Sequence, residues 1–281
     1  MNDQLEVIQP EALEILTRAE LVPLQDTARE YPRDMAICRQ DILEIAAADK
    51  DTAASCFFAL PRKRKKEDGK GYETISIEGE SIRMAEIVAA SWQNIKIGKR
   101  ILKIDRVAGT ITAQAKVVDT QKNTETTIEE TKSIKSKGGS LYSEDMIIMT
   151  GKSAQSVALR NAIFTAIPKA VFMPIFKEIK LVATGAKPGT MIPEGSFVPV
   201  PLEDRANIAV NHFTGLGVSE ADVFTALGVS GIPEITEDQL AILTGLRTGI
   251  KEGDLNLKDA FPPSKGQQIS DDISKKIAGN K

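Results

Sequence analysis

Apolar residues recur at helical spacing in PEALEILTRAELV (10–22) and RDMAICRQDILEIAAAD (33–49), which predicts two helices, with Pro23 and Pro32 as punctuation. ASCFFALPRK (54–63) predicts a strand, and RKRKKEDGKG (62–71) a charged loop with two glycines. YETISIEG (72–79) alternates apolar and polar positions and predicts the returning strand of a hairpin. ESIRMAEIVAASW (80–92) predicts a helix whose buried side comes mostly from Ile82, Ala85, Ile87 and Val88. Alternation dominates the next forty residues and predicts three antiparallel strands at about 95–106, 109–119 and 124–134. Ala108-Gly109 and Gln121-Lys122-Asn123 supply their turns.

A long helix is predicted over 144–166, with a continuation past Pro168 left open. The proline- and glycine-rich TGAKPGTMIPEGSFVPVP (184–201) predicts a linker. Three short helical segments follow. Ser219 with Asp222, and Thr236 with Gln239, stand at helix-start spacing, the second pair as a capping box. The expected fold class is therefore α+β: an antiparallel sheet and hairpin packed with helices, followed by a small all-α C-terminal domain. The expected division is 1–183 as an α+β domain, 184–201 as a linker, 202–262 as a helical domain and 263–281 as a flexible tail.

Composition removes several chemistries. A single histidine, His212, leaves no histidine metal cluster and makes a Ser-His-Asp triad improbable. Cys38 and Cys56 are too few and too far apart for a zinc ribbon, and both fall in apolar runs, as buried thiols do. Gly151-Lys152-Ser153 has the look of a phosphate-loop ending. The glycine required five residues earlier is replaced by Met146, however, and Ile147, Ile148 and Met149 cannot form an amide cradle. No catalytic residue, metal ligand or cofactor is expected. No apolar run reaches the ~18 residues of a membrane span, and the acidic start lacks the basic end of a signal peptide, so a cytoplasmic protein is expected.

Net charge is −3, but its distribution is uneven. Residues 1–60 hold 5 basic and 12 acidic side chains, residues 61–187 hold 23 and 14, and residues 188–281 hold 8 and 13. A basic middle between acidic ends points to a polyanion partner. Arg62, Lys63, Arg64, Lys65 and Lys66 form an unbroken basic run at the hairpin tip, for which a nuclear-localisation signal is the alternative. IKIGKRILKIDR adds Lys96, Lys99, Arg100, Lys103 and Arg106. Unbroken alternation puts Arg100 and Arg106 on one face of that strand and Lys99 and Lys103 on the other. On the long helix, Lys152, Ser153, Ser156 and Arg160 fall within a sector of about 100° suited to phosphate oxygens. Tyr72 and Trp92 flank these stretches and are candidates for base stacking, worth ~1–3 kcal/mol per base.

The order of these pieces resembles phage single-strand annealing proteins of the RecT and Red-beta type. CFFALPRKRKK followed by GYETISIEGESIRMAEIVAASW looks like their strand, basic loop and helix. GKSAQSVALRNAIFTAIPKAV looks like the helix that carries cations to the DNA groove, with Lys152 and Arg160 at matching positions. EITEDQLAILTGLRTGIKEGDLNLKDAF is similar to their partner-binding C-terminal module. The resemblance covers most of residues 35–262, although the alanine-rich helix carries fewer cations than that pattern. It implies ATP-independent annealing of single-stranded DNA in the bacterial host cytoplasm, through an annealed duplex intermediate, by a ring or helical homo-oligomer. It further implies that the C-terminal helices engage an exonuclease or a single-strand-binding protein. The competing expectations are an oligomeric viral structural or assembly protein, and a nuclease with dispersed carboxylates.

Overall fold

The computed structural model describes residues 18–65, 72–136, 138–186, 200–251 and 255–262, with the backbone alone at 62–65 and 72–75. Lys66, the first part of the helix expected at 10–22, most of the linker and the tail from 263 lie outside the described residues. Among the described residues the fold is mixed α+β, with two antiparallel sheets and with helices following them in the C-terminal part. Its helices are α1 (Arg18–Glu30), α2 (Met35–Ala46), α3 (Lys50–Ser55), α4 (Ile82–Trp92), α5 (Glu144–Ala166), α6 (Lys169–Thr184), α7 (Leu202–Gly215), α8 (Glu220–Leu227), α9 (Glu237–Lys251) and α10 (Leu257–Ala260). Its strands are β1 (Phe57–Lys65), β2 (Tyr72–Glu80), β3 (Ile95–Asp105), β4 (Thr110–Asp119) and β5 (Thr124–Ser133). Among the described residues, no helix is long and apolar enough to cross a membrane.

Pro23 does not end a helix as expected but lies inside α1. It forfeits one backbone hydrogen bond there, and its carbonyl still accepts from Thr27 Oγ1 at 2.9 Å. Pro168 does separate two helices, α5 and α6.

Contacts divide the chain into two compact units, one drawn from Met1–Ala46 and Ser81–Phe176, the other from Ala47–Glu80 and Lys177–Lys281. In the first unit β4 lies between β3 and β5, and α5 covers one face of this sheet. Gly151, Ala154, Ala158 and Ala162 recur along the buried side of α5, and Ala113 and Ala115 lie on the buried side of β4. Small residues on both surfaces bring helix and sheet close: a Cβ at Gly151 would stand 2.9 Å from Ile111 Cδ1. Ile111, Ile134 and Ile147 close the core at the end where α5 begins.

In the second unit β1 and β2 form a hairpin that packs against α9. The hairpin, expected within the N-terminal α+β domain, shares its core with C-terminal helices. Ala59 is buried with Val210, Phe213, Leu240, Leu243 and Leu246. Two glycines inside α9 permit this packing. A Cβ at Gly245 would meet Ala59 N at 2.7 Å and Ala59 Cβ at 2.8 Å, and Gly249 faces the Ala59 carbonyl. The expected capping box starts α9: Thr236 N donates to Gln239 Oε1 at 2.8 Å, and Gln239 N to Thr236 Oγ1 at 3.4 Å. Replacing Gly245 by alanine should push α9 off a rigid strand backbone. The better intrinsic helix propensity of alanine recovers less than the clash costs, so urea unfolding should show a net loss of about 1–3 kcal/mol. Unchanged stability would mean that the strand and helix can separate without cost.

Candidate nucleic-acid interface

The outer strands of the three-stranded sheet have opposite charge. β3 carries Lys96, Lys99, Arg100 and Lys103 against one acid, Asp105. β5 carries Glu125, Glu129 and Glu130 against one cation, Lys132. Neither strand contains a buried residue, and among the described residues β3 pairs with β4 alone in this sheet, so its cations lie along a sheet edge. From Lys96 to Lys103 the strand extends ~23 Å, room for a chain of several nucleotides.

Each cation's face follows from the register. Residues opposite one another in an antiparallel pair point to the same side. Lys99 is opposite Ala115, on the side covered by α5, whereas Arg100 is opposite Gln114, on the open side. A bulge between Ile101 and Lys103 then inserts one residue, so Lys103 is opposite Thr112 and shares the open side with Arg100. The expected grouping of Lys99 with Lys103, and of Arg100 with Arg106, is therefore wrong, because one extra residue reverses every later side chain. Arg106 leaves the strand toward α5, where it grips Glu144 in its first turn through bonds of 2.6 and 2.9 Å. That grip, from Arg106's hydrogen bonds foremost, holds the Glu144 carboxyl below its usual range. Lys103 does the same to Asp105 from 2.8 Å. Arg106 and Lys103 thus meet a carboxylate within the chain. Among the described residues, the exposed Lys96, Lys99 and Lys152 meet none.

On α5 the expected polar sector divides. Ser153 Oγ lies 2.6 Å from Nζ of Lys132 on β5, which fixes that flank of the helix toward the acidic edge. At 100° per residue, Lys152 turns about 100° away from Ser153, toward the β3 side. Ser156 and Arg160 are half-buried, and Arg160 Nε donates to Asn161 Oδ1 at 3.4 Å. Register thus places Lys99 on the side of the sheet that α5 covers, and the helix rotation turns Lys152 toward β3.

Trp92 is not a stacking platform for a base. It is 2% exposed, and the Arg33 guanidinium already covers its ring at 4.4 Å. Arg33 also donates to both oxygens of Asp119, at 2.6 and 2.8 Å, and Trp92 Nε1 donates to Asp119 Oδ2 at 3.4 Å. Burial raises the Asp119 pKa, but hydrogen bonds from Arg33 and Lys122 N, the Arg33 charge and the Trp92 N–H outweigh it, so the carboxyl stays below its usual range. This clasp joins the turn before α2 to the end of β4, across 86 residues of sequence.

The basic run Arg62–Lys65 occupies the end of β1, and Tyr72 starts β2, in the register Lys65↔Tyr72. They belong to the second unit, and the β3 and α5 cations to the first. Among the described residues no group of histidine, cysteine and carboxylate side chains could hold a metal ion. Both cysteines are buried. Comparison with family models, with curated proteins and with solved structures returns no match to this chain.

Proposed function

We propose that this protein binds single-stranded DNA along the β3 edge and anneals complementary strands without ATP. The observation that carries the proposal is the charge polarity of the three-stranded sheet. Lys96, Lys99 and Arg100 gather on one outer strand, with Lys152 on the helix that covers one face of the sheet, and Glu125, Glu129 and Glu130 on the other. A sugar–phosphate chain is drawn to the first edge and repelled from the second, which fixes the side on which it lies. Lysine and arginine contacts to phosphate hold a strand without reading its sequence and leave base edges free to pair. Pairing then needs no nucleophile and no nucleotide hydrolysis. The likeness of the segment order to RecT-type annealing proteins supports the same reading, and a homo-oligomer would set many such edges along one strand.

The test mixes complementary oligonucleotides, free of secondary structure, with the full chain and no ATP. Duplex formation should proceed well above the spontaneous rate, and both strands should remain intact when magnesium is added. A spontaneous rate would end the annealing proposal, and shortened strands would favour a nuclease.

A further inference from the structure

The second unit contains a partly open pocket of about 140 Å³ lined by α3, the end of α6, α7 and α9. Its apolar wall includes Phe213 and Leu243. Lys50, His212 and Arg247 line it from three different helices, and Thr244 also lines it. Among the described residues no carboxylate lines it. The buried Arg205 also lines it, but its charge is matched by Glu237, to which Nη1 donates at 2.7 Å, and Nε is held by the Val200 carbonyl at 2.7 Å. That clamp makes Arg205 part of the rigid wall. Among the described residues, Arg247 pairs with the exposed Asp51, at 3.6 Å, a weak surface pair that a ligand can displace.

We propose that this pocket binds a phosphate monoester carried on a small organic body, such as a terminal or free nucleoside 5′-phosphate. The apolar wall receives the organic part, and Lys50 and Arg247 take the phosphate oxygens. His212 adds to the case. Burial, then the charge of Arg247, hold its imidazole below the usual range; Lys50 from α3 lines the same pocket, Arg205 is already matched by Glu237, and the acid facing Arg247 is the exposed Asp51 of α3. A doubly charged phosphate compensates such a cluster better than a single carboxylate does and draws a proton onto His212. The inference deepens the nucleic-acid reading, on which the identity of the organic body rests.

Calorimetry on the full chain tests it with thymidine 5′-monophosphate, thymidine and inorganic phosphate as probes. The monophosphate should bind at one site per chain, thymidine should not, and inorganic phosphate should bind more weakly. Lys50→Gln and Arg247→Gln should each weaken the monophosphate by about tenfold, as loss of a charge-assisted contact does. Lys251→Gln, at the exposed end of α9, should change nothing. Urea midpoints equal to the parent's would show that these exposed substitutions leave the fold intact. A 5′-phosphorylated oligothymidylate that binds more tightly than its 5′-hydroxyl form, with the advantage lost in Arg247→Gln, identifies a strand end as the source. A monophosphate that binds with no such advantage identifies a free nucleotide. The pocket proposal is overturned if the monophosphate fails to bind or binds both variants unchanged. It is overturned as well if a peptide ending in a free apolar residue occupies the pocket and the monophosphate does not. Annealing of 5′-hydroxyl strands should be the same in the pocket variants, so failure here is distinct from failure of the annealing proposal.

Discussion

Replacing Lys96, Lys99 and Arg100 together by glutamine should lower affinity for single-stranded DNA about 100-fold at 0.1 M salt. The estimate follows from counterion release: each phosphate contact to a single strand adds about 0.7 to the slope of log affinity against log salt, so three lost contacts remove about 2 from that slope. Two of the three side chains are exposed and the third is half-buried at an edge, so the sheet should persist and its stability should change little. The mirror substitution, Glu125→Gln with Glu129→Gln on β5, should leave affinity equal or raised, because it removes negative charge from the repelling edge. The Glu129 change keeps a hydrogen-bonding amide opposite Gln114, which now donates to Glu129 Oε1 at 3.0 Å. An unaltered salt slope in the β3 triple variant would remove that strand from the interface.

The Arg33–Asp119 clasp carries the largest expected effect on stability. Both side chains are about 4% exposed, and the pair is bidentate. Arg33→Met should cost about 3–5 kcal/mol, because it leaves Asp119 charged, buried and short of partners. The loss should depend on pH. Asp119 titrates lower in the folded chain than in the unfolded one, so its stabilisation is complete above the ordinary carboxylate range, near pH 4, and is lost as pH falls through the lower folded value. The gap between the parent and Arg33→Met should therefore be widest near neutrality and narrow in acid. Urea unfolding at a series of pH values measures it, and a gap that stays constant from pH 7 down to pH 3 would exclude the clasp as its origin.

Local pattern made much of this fold legible, and long-range pairing hid the rest. The strands of the central sheet follow from alternation punctuated by Gly109 and Asn123, both of which take the positive φ their turns require, 73° and 53°. Helix α5 ends where expected because Pro168 follows it, and α9 begins where its capping box stands. The bulge in β3 left no such mark. Nothing in ILKID shows which residue is surplus, and a miscount of one exchanged the faces of Lys103 and Arg106 relative to their neighbours. Trp92 is buried rather than free to stack because its partners come from positions 33 and 119, and no local periodicity reports them. The same holds for the hairpin. Its alternation was visible, but its core partners lie on helices 150 and more residues away, and the one local hint was a pair of glycines inside α9. The cations were legible as a composition bias, and the acidic outer strand that gives them direction emerged only with the strand order.

The most direct measurement is site-specific photocrosslinking to a radiolabelled oligothymidylate. A photoreactive residue is placed at position 99 on β3 or, in a separate protein, at position 127, the exposed centre of β5. The charge polarity of the sheet predicts capture of the strand from position 99 and little or none from position 127. Equal capture from both, or capture from 127 alone, would contradict it.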